Sequence, residues 1–194
     1  MTIGTDDVKK LRDMTGVSVM QCKQALVEAG GDFEKAVMIL RKKGSAVAAK
    51  KADRELGAGT VAAYVHSTKE VAAMVTLLSE TDFVAKNEEF EKLARDIAMH
   101  VAASNPEYKS RDDIPPEKLA DIKTLFIKEV EGKPENLKEQ ILSGKVDAYL
   151  KGLVLLEQSF IKDQEQTIQN LLDTAAQKFG ERVAVGTFTR VSTR

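Results

Sequence analysis

The chain contains few side chains that could perform acid–base, nucleophilic or metal chemistry. Its two histidines, His66 and His100, have no cysteine or acidic partner at metal-ligand spacing, and we expect one to end a strand and the other to flank the apolar stripe of a helix. The single cysteine, Cys22, falls on the apolar side of a predicted helix, which favours packing over nucleophilic use. No glycine-rich phosphate loop follows a strand. The inventory therefore argues against catalysis, and we expect no catalytic residue, metal site or cofactor.

A basic cluster, Arg41-Lys42-Lys43 with Lys50 and Lys51, could contact phosphate groups but has no aromatic residues among its charges. The formal net charge of −1 provides no overall field that would attract nucleic acid or an anionic membrane. A nucleic-acid binder that uses residues 41–54 is an open but disfavoured alternative, and we expect no direct nucleic-acid partner.

Composition also predicts the compartment. One cysteine cannot form an internal disulfide, residues 1–4 lack the features of a secretory signal, and no apolar run approaches the roughly 20 residues that cross a bilayer. We therefore expect a cytoplasmic protein without membrane residence.

The elements that must position any site begin with three short helices in residues 1–44. Thr15-Gly16 and Gly30-Gly31 separate the helices, while Ser18 and Asp32 are placed to cap the second and third. Apolar residues recur at helical spacing up to Gly44. Residues 45–56, rich in alanine and charge, are predicted to be a linker helix.

Residues 57–194 are predicted to form an α+β domain with a three-stranded antiparallel sheet packed against helices. The strands are expected at 60–67 and 71–80, joined as a hairpin, and at 183–191, where apolar and polar residues alternate. Helical patterns span 87–104, 116–131, 134–142, 146–156 and 164–178.

This sheet would carry apolar residues on both faces. Val61 and Val65 point to one side of the first strand and Tyr64 to the other, and the second strand has the same character. Helices can cover one face, so a second copy of the chain is the expected cover for the other. We therefore predict a homodimer formed sheet to sheet.

The segment from Glu80 to Asn87, at the exit from the second strand, has two interpretations. In a purely structural one, Asp82 caps a helical turn and Phe83 packs onto Phe90 or the sheet. In the other, the loop is exposed and binds a partner.

Three separated motifs, at residues 59–66 with Glu80–Asn87, at residues 156–163 and within residues 11–36, together resemble the translation elongation factor Ts family. Residues 59–66 with Glu80–Asn87 match the family's hairpin and following loop, and Leu156-Glu157-Gln158 with Phe160, Lys162 and Asp163 matches a later segment. Leu11-Arg12, Thr15-Gly16, Cys22-Lys23, Ala25-Leu26, Asp32 and Ala36 match the family's ubiquitin-associated-like (UBA-like) domain. Ser159 stands where the family usually has proline, and Ser79 where it often has cysteine or asparagine. We expect a single core repeat and no helical-hairpin insertion, so the chain is similar to the short form of the family, for which the resemblance implies a dimer.

The resemblance implies guanine-nucleotide exchange on elongation factor Tu, a GTPase of protein synthesis, by a factor that is not itself an enzyme. It assigns displacement of Mg²⁺ from the partner to Thr81, Asp82, Phe83 and Val84, and docking of the N-terminal domain to Leu11, Arg12, Thr15, Gly16 and Lys23. Two alternatives remain: a UBA-like interaction module without exchange activity, and an enzyme.

Overall fold

The computed structural model describes residues 3–130 and 134–193. Residues 1, 2 and 194, the ends of the two predicted domains, lie outside the described residues, as does Glu131, the predicted end of a helix. None of the helices in the described ranges has the length and apolar character needed to cross a membrane. The helices are α1 (Thr5–Thr15), α2 (Val19–Glu28), α3 (Phe33–Ala49), α4 (Asp82–Ala85), α5 (Glu88–Ser104), α6 (Pro116–Val130), α7 (Glu135–Leu153) and α8 (Ile168–Phe179), and the strands are β1 (Ala58–Val65), β2 (Val71–Ser79), β3 (Ser159–Phe160), β4 (Asp163–Thr167) and β5 (Val183–Ser192).

Helices α1 to α3 form a bundle around their own apolar cluster, as predicted. Gly16, at φ +67°, ends α1 and its N–H donates to the carbonyl of Arg12 at 2.7 Å. Asp32 caps α3 by accepting a bond from the Lys35 N–H at 3.0 Å. The buried cluster comprises Val8, Leu11, Val17, Cys22, Ala25, Leu26, Ala36 and Leu40.

Helix α3 does not end at Gly44 as predicted but continues to Ala49, so only the first part of the expected linker helix is helical. Gly44 lies against α8, where an added Cβ would be 3.3 Å from the carbonyl oxygen of Asp173. The next residue, Ser45, donates to the Asp173 carboxylate at 2.5 Å. Glycine at this position is a close helix contact and not a stop signal, because the absent side chain lets the two helices approach.

The three-stranded sheet has the order β1-β2-β5 and is antiparallel throughout, which confirms the predicted fold class. Its inner face packs on α5 and α8 in a cluster that includes Val75, Leu77, Phe90, Ile97 and Leu172. Its outer face is not covered by any described residue of this chain, and Val61 and Val191 there are 67% and 64% exposed.

Strand β5 changes face midway. Val75 pairs with Phe188 and Leu77 with Val185, so Thr76 lies opposite two residues instead of one. The Thr187 N–H donates to the hydroxyl of Thr76 at 2.7 Å at this irregularity. Val185 is therefore buried while Val191 is exposed, although simple alternation would place both on the same face.

Helices α6 and α7 pair as a hairpin, here called the helical arm. The ring centroids of Phe126 and Tyr149 are 5.6 Å apart, and the Lys145 ammonium pairs with the Glu129 carboxylate at an N–O distance of 2.6 Å. The two predicted helices at 134–142 and 146–156 are wrong, because a single helix runs through both. The arm has a separate buried cluster of Ile114, Ile122, Val146, Leu150 and Val154.

Arg111 holds the base of the arm. Its guanidinium donates to Glu157 at 2.5 and 2.9 Å and to Asp147 of α7 at 2.6 Å. These contacts tie the loop before α6 to α7 and to the chain that follows it.

A further correction concerns the start of α8, which was predicted at residue 164. Residues Asp163–Thr167 instead form β4, which pairs with β3 as a small hairpin. Thr167 then caps α8, because its hydroxyl accepts from the Asn170 N–H and its own N–H donates to the Asn170 side chain.

Candidate functional site

The segment singled out in the sequence lies on an exposed turn between β2 and α5. Strand β2 ends at Ser79, a fully buried residue whose hydroxyl donates to the carbonyl of Thr81 at 3.0 Å. The single-turn helix α4 follows, and its Val84 and Ala85 are buried in the protein. One side of the turn is thus anchored in the core while the other faces solvent.

Phe83 points away from the protein with 83% of its surface exposed. Of the large apolar side chains in the part of the chain that the structure describes, it is the most exposed, ahead of Met20 at 70%. The purely structural interpretation is wrong, because Phe83 is too exposed to pack onto Phe90 or the sheet, and the N-cap of α4 is Thr81 and not Asp82. Phe90 is fully buried and packs edge-to-face on Phe179, with the ring centroids 5.8 Å apart. An aromatic ring held in water by a well-packed turn is typical of a protein-binding anchor.

Asp82 places a carboxylate beside this ring. The hydrogen bond and charge of Lys86, 2.7 Å away, hold the pKa of Asp82 below its usual value, so the side chain is ionised at neutral pH. Both partners are largely exposed, and such a pair contributes little to stability. The pair can therefore open when another charge approaches.

Two glutamates, Glu80 and Glu181, hold the turn in place through hydrogen bonds that join it to the corner between α8 and β5. The carboxylate of Glu181 accepts bonds from the Thr81 N–H at 3.0 Å and the Thr81 hydroxyl at 2.6 Å. Glu80 accepts from the Arg182 N–H at 2.5 Å and from Arg54 at 3.2 Å, and these contacts, the first above all, lower the pKa of Glu80. Sequence reasoning missed Glu181, Arg182 and Arg54, since none of them is close to the turn along the chain.

The N-terminal residues proposed for docking do not form one surface. Arg12, Gly16 and Lys23 are exposed, but Leu11 is fully buried, and the half-buried Thr15 donates to the Leu11 carbonyl at 2.7 Å. Leu11 and Thr15 therefore support the turn between α1 and α2 from inside.

Several apolar side chains near the turn between α1 and α2 are exposed, which was not predicted from the sequence. Met14, Val19 and Met20 flank it with more than half of their surface in water. The available signal was that these residues fall outside the helical spacing of the bundle's core. On the other side of the turn, the Lys178 side chain of α8 lies next to Gly16 and pairs with Glu89.

The histidines and the cysteine have structural surroundings. His100 is buried with Nε2 2.9 Å from the Gln158 side-chain oxygen, and burial lowers its pKa. Burial likewise raises the pKa of Cys22, and the exposed His66 lies 3.0 Å from the Thr68 hydroxyl in the hairpin turn. Within residues 3–130 and 134–193, no three histidine, cysteine or acidic side chains cluster in a way that could hold a metal ion.

A helical bundle and a sheet covered by helices on one face together define a mixed helix–strand protein, and its candidate site is the exposed ring on the turn after β2. The family model described as "Elongation factor TS" matches residues 18–193, and the chain belongs to the elongation factor Ts family. It is thus a translation elongation factor by family.

Individual relatives agree over almost the whole chain. The elongation factor Ts of Thermodesulfovibrio yellowstonii is 46% identical over 191 residues, covering 98% of this chain and 96% of the relative. Those of Acetivibrio thermocellus and Thermosipho melanesiensis are 46% and 45% identical over 185 residues, covering 94% of this chain and 86% and 94% of the relatives.

Proposed function

We propose that this protein is a guanine-nucleotide exchange factor for elongation factor Tu, which promotes release of GDP and Mg²⁺ and stabilises the nucleotide-free state. Membership of the elongation factor Ts family supports the partner and the role in protein synthesis. The observation that carries the mechanism is Phe83, exposed by 83% on a turn anchored in the core. The factor makes and breaks no covalent bond in this proposal, so it is not an enzyme.

Exchange requires differential binding. A partner accelerates nucleotide release only if it binds the nucleotide-poor GTPase more tightly than the loaded one. An exposed ring and an adjacent carboxylate suit this requirement, because both can enter a space that opens as the nucleotide leaves. Phe83 would supply apolar burial, and the negative charge of Asp82 would disturb the surroundings of the Mg²⁺ ion.

The other proposed residues receive different roles. Thr81 would orient the turn, and Val84, which is buried, would anchor α4 instead of contacting the partner. The bundle would dock on the GTPase through its exposed residues Arg12, Gly16 and Lys23. Leu11 and Thr15 would support the turn between α1 and α2 from inside.

The direct test mixes the protein with elongation factor Tu that carries fluorescent GDP, in the presence of excess unlabelled GDP. We expect loss of fluorescence to accelerate with substoichiometric amounts of the protein, because an exchange factor is released after each event. An unchanged release rate, with the protein folded, would contradict exchange activity. If elongation factor Tu were retained on the immobilised protein without any acceleration, the alternative of a UBA-like binding module would be favoured.

The basic cluster gives little support to the nucleic-acid alternative. Arg41 donates to the Glu165 carbonyl, Lys43 to Glu28, Lys51 to the Gly180 carbonyl and Arg54 to Glu80. These cations are engaged within the protein, so they do not present an open row of charges to phosphates.

The proposal includes a homodimer formed through the outer face of the sheet. This face exposes Val61, Val65, Met74 and Val191, a continuous apolar surface in adjacent strands. A second copy of the same sheet would cover it by sheet packing. Light scattering at micromolar concentration should give the mass of two chains, and a monomer mass would remove this part of the proposal.

A further inference from the structure

We propose that Glu181 is a positioning residue for exchange, whose carboxylate fixes the turn that presents Phe83. This inference rests on the proposed exchange function and adds a residue to it. Glu181 acts on the position of the ring through its two hydrogen bonds with Thr81.

The geometry of the contact is specific. Each Glu181 oxygen accepts one bond from Thr81, one from the N–H at 3.0 Å and one from the hydroxyl at 2.6 Å. Thr81 is the N-cap residue of α4 and its side chain makes no capping bond within that helix. Both hydrogen-bond donors of Thr81 are therefore used to hold the start of α4 on Glu181, two residues ahead of Phe83.

Glu181 is itself held in place. It lies in the corner between α8 and β5, directly after Gly180, which ends α8 at φ +70°. The Gly180 carbonyl accepts from Lys51 at 2.6 Å, and Arg182 donates both to Glu80 and to the carbonyl of Arg54 at 2.5 Å. The corner thus connects the segment after α3 with the turn that carries the exposed ring.

The contact between Glu181 and Thr81 lies near the surface. Its loss should therefore affect partner binding more than it affects the stability of the fold. Thr81 is exposed and Glu181 half-buried, so water can replace their hydrogen bonds in a variant that lacks the carboxylate. The fold should then change little in stability. The turn, however, would sample more orientations, and each would have to be ordered again when the GTPase binds.

The experiment compares Glu181→Ala with Glu181→Gln. Glutamine can keep both contacts, because its carbonyl accepts from the Thr81 N–H and its amide donates to the Thr81 hydroxyl. We expect Glu181→Ala to slow GDP release roughly three- to tenfold, with nearly unchanged thermal unfolding, and Glu181→Gln to restore most of the rate. Amide hydrogen exchange at Thr81 should accelerate in Glu181→Ala alone. Thr81→Val, which removes the hydroxyl from the other side, should slow release as well.

A double variant distinguishes failure of this inference from failure of the proposed function. In a Phe83→Ala background, adding Glu181→Ala should have almost no further effect, because the side chain that the turn presents is gone. An equal further loss would overturn the positioning role, as would a wild-type release rate in Glu181→Ala. If the unmodified protein does not accelerate GDP release at all, it is the proposed function that fails.

Discussion

Truncation of Phe83 to alanine should slow nucleotide exchange and leave the fold intact. The ring is 83% exposed, so the free protein loses almost no packing, and we expect the free energy of unfolding to change by less than about 0.5 kcal/mol. For a chain of this length that corresponds to a shift in the melting temperature of about 2 °C or less.

The effect on exchange follows from the area that remains to be buried. Complete burial of a phenylalanine side chain is worth about 1.5–3 kcal/mol, and scaling by the exposed fraction of 83% leaves about 1.2–2.5 kcal/mol for the partner complex. Since about 1.4 kcal/mol changes an equilibrium tenfold, loss of the ring should reduce stabilisation of the nucleotide-poor complex roughly 7- to 60-fold. The variant should therefore need far higher concentrations to release GDP at the wild-type rate.

Stopped-flow release of fluorescent GDP from elongation factor Tu, measured over a range of concentrations, provides the assay. A matched control is Leu125→Ala, which removes another large apolar side chain, 60% exposed on α6, and should release GDP at the wild-type rate. Equal rates for Phe83→Ala and the wild type at every concentration would refute the reasoning. A fall in the melting temperature by several degrees would refute it in another way, since the ring would then be packing within its own subunit.

Three further predictions concern the fold. Gly44→Leu should destabilise by about 1–3 kcal/mol through overpacking against α8 and Gly44→Ala by less, so equal calorimetric midpoints for Gly44→Leu and the wild type would contradict the close contact. Burial lowers the pKa of His100 from its ordinary 6.5, so the unfolded chain binds the proton more readily than the folded one. The free energy of unfolding, measured with urea, should therefore be at its full value above about pH 6.5 and should decline below that pH. His100→Gln should remove this dependence, and a slope unchanged in that variant would assign it to another group. Met74→Glu should convert the proposed dimer into a monomer in light scattering, and a dimer that persists would place the interface elsewhere.

The sequence predicts the elements well where the signal is local. Asn87 before the apolar stripe of α5, Asp32 before α3 and the alternation after Val183 each identify an element that the structure contains. These signals depend on caps and periodicity within one segment, so no distant contact is needed to read them.

Glycines show where local reading fails. Helices were predicted to stop at Gly44 and to be interrupted at residues 143–145, which include Gly144, yet both glycines lie inside a helix. Gly44 is there because α8 approaches closely, and at Gly144 an added Cβ would meet nothing within 4 Å, so the position only costs about 1 kcal/mol of helix propensity. Packing of Val146 and Leu150 in the arm outweighs that cost. The contact of Gly44 with α8 and the packing of α7 on α6 both involve a second helix, so neither can be read from the local sequence.

The candidate site likewise has one part that the sequence predicted and one part that only the structure shows. The family resemblance identified the turn with Phe83, but the brace from Glu181 arises only when the corner after α8 meets the end of β2. The switch of face in β5 is also a property of the pair, since it depends on Thr76 of the neighbouring strand. Contacts that join residues about 100 positions apart leave no periodic trace in either segment.

The helical arm has its own apolar cluster and is attached at its base through Arg111. Its two helices could consequently be lengthened or shortened together, by about 3.6 residues per turn on each, without disturbing the sheet or the turn with Phe83. A change in the length of the arm would thus alter how far it extends while the sheet and the turn with Phe83 keep their geometry.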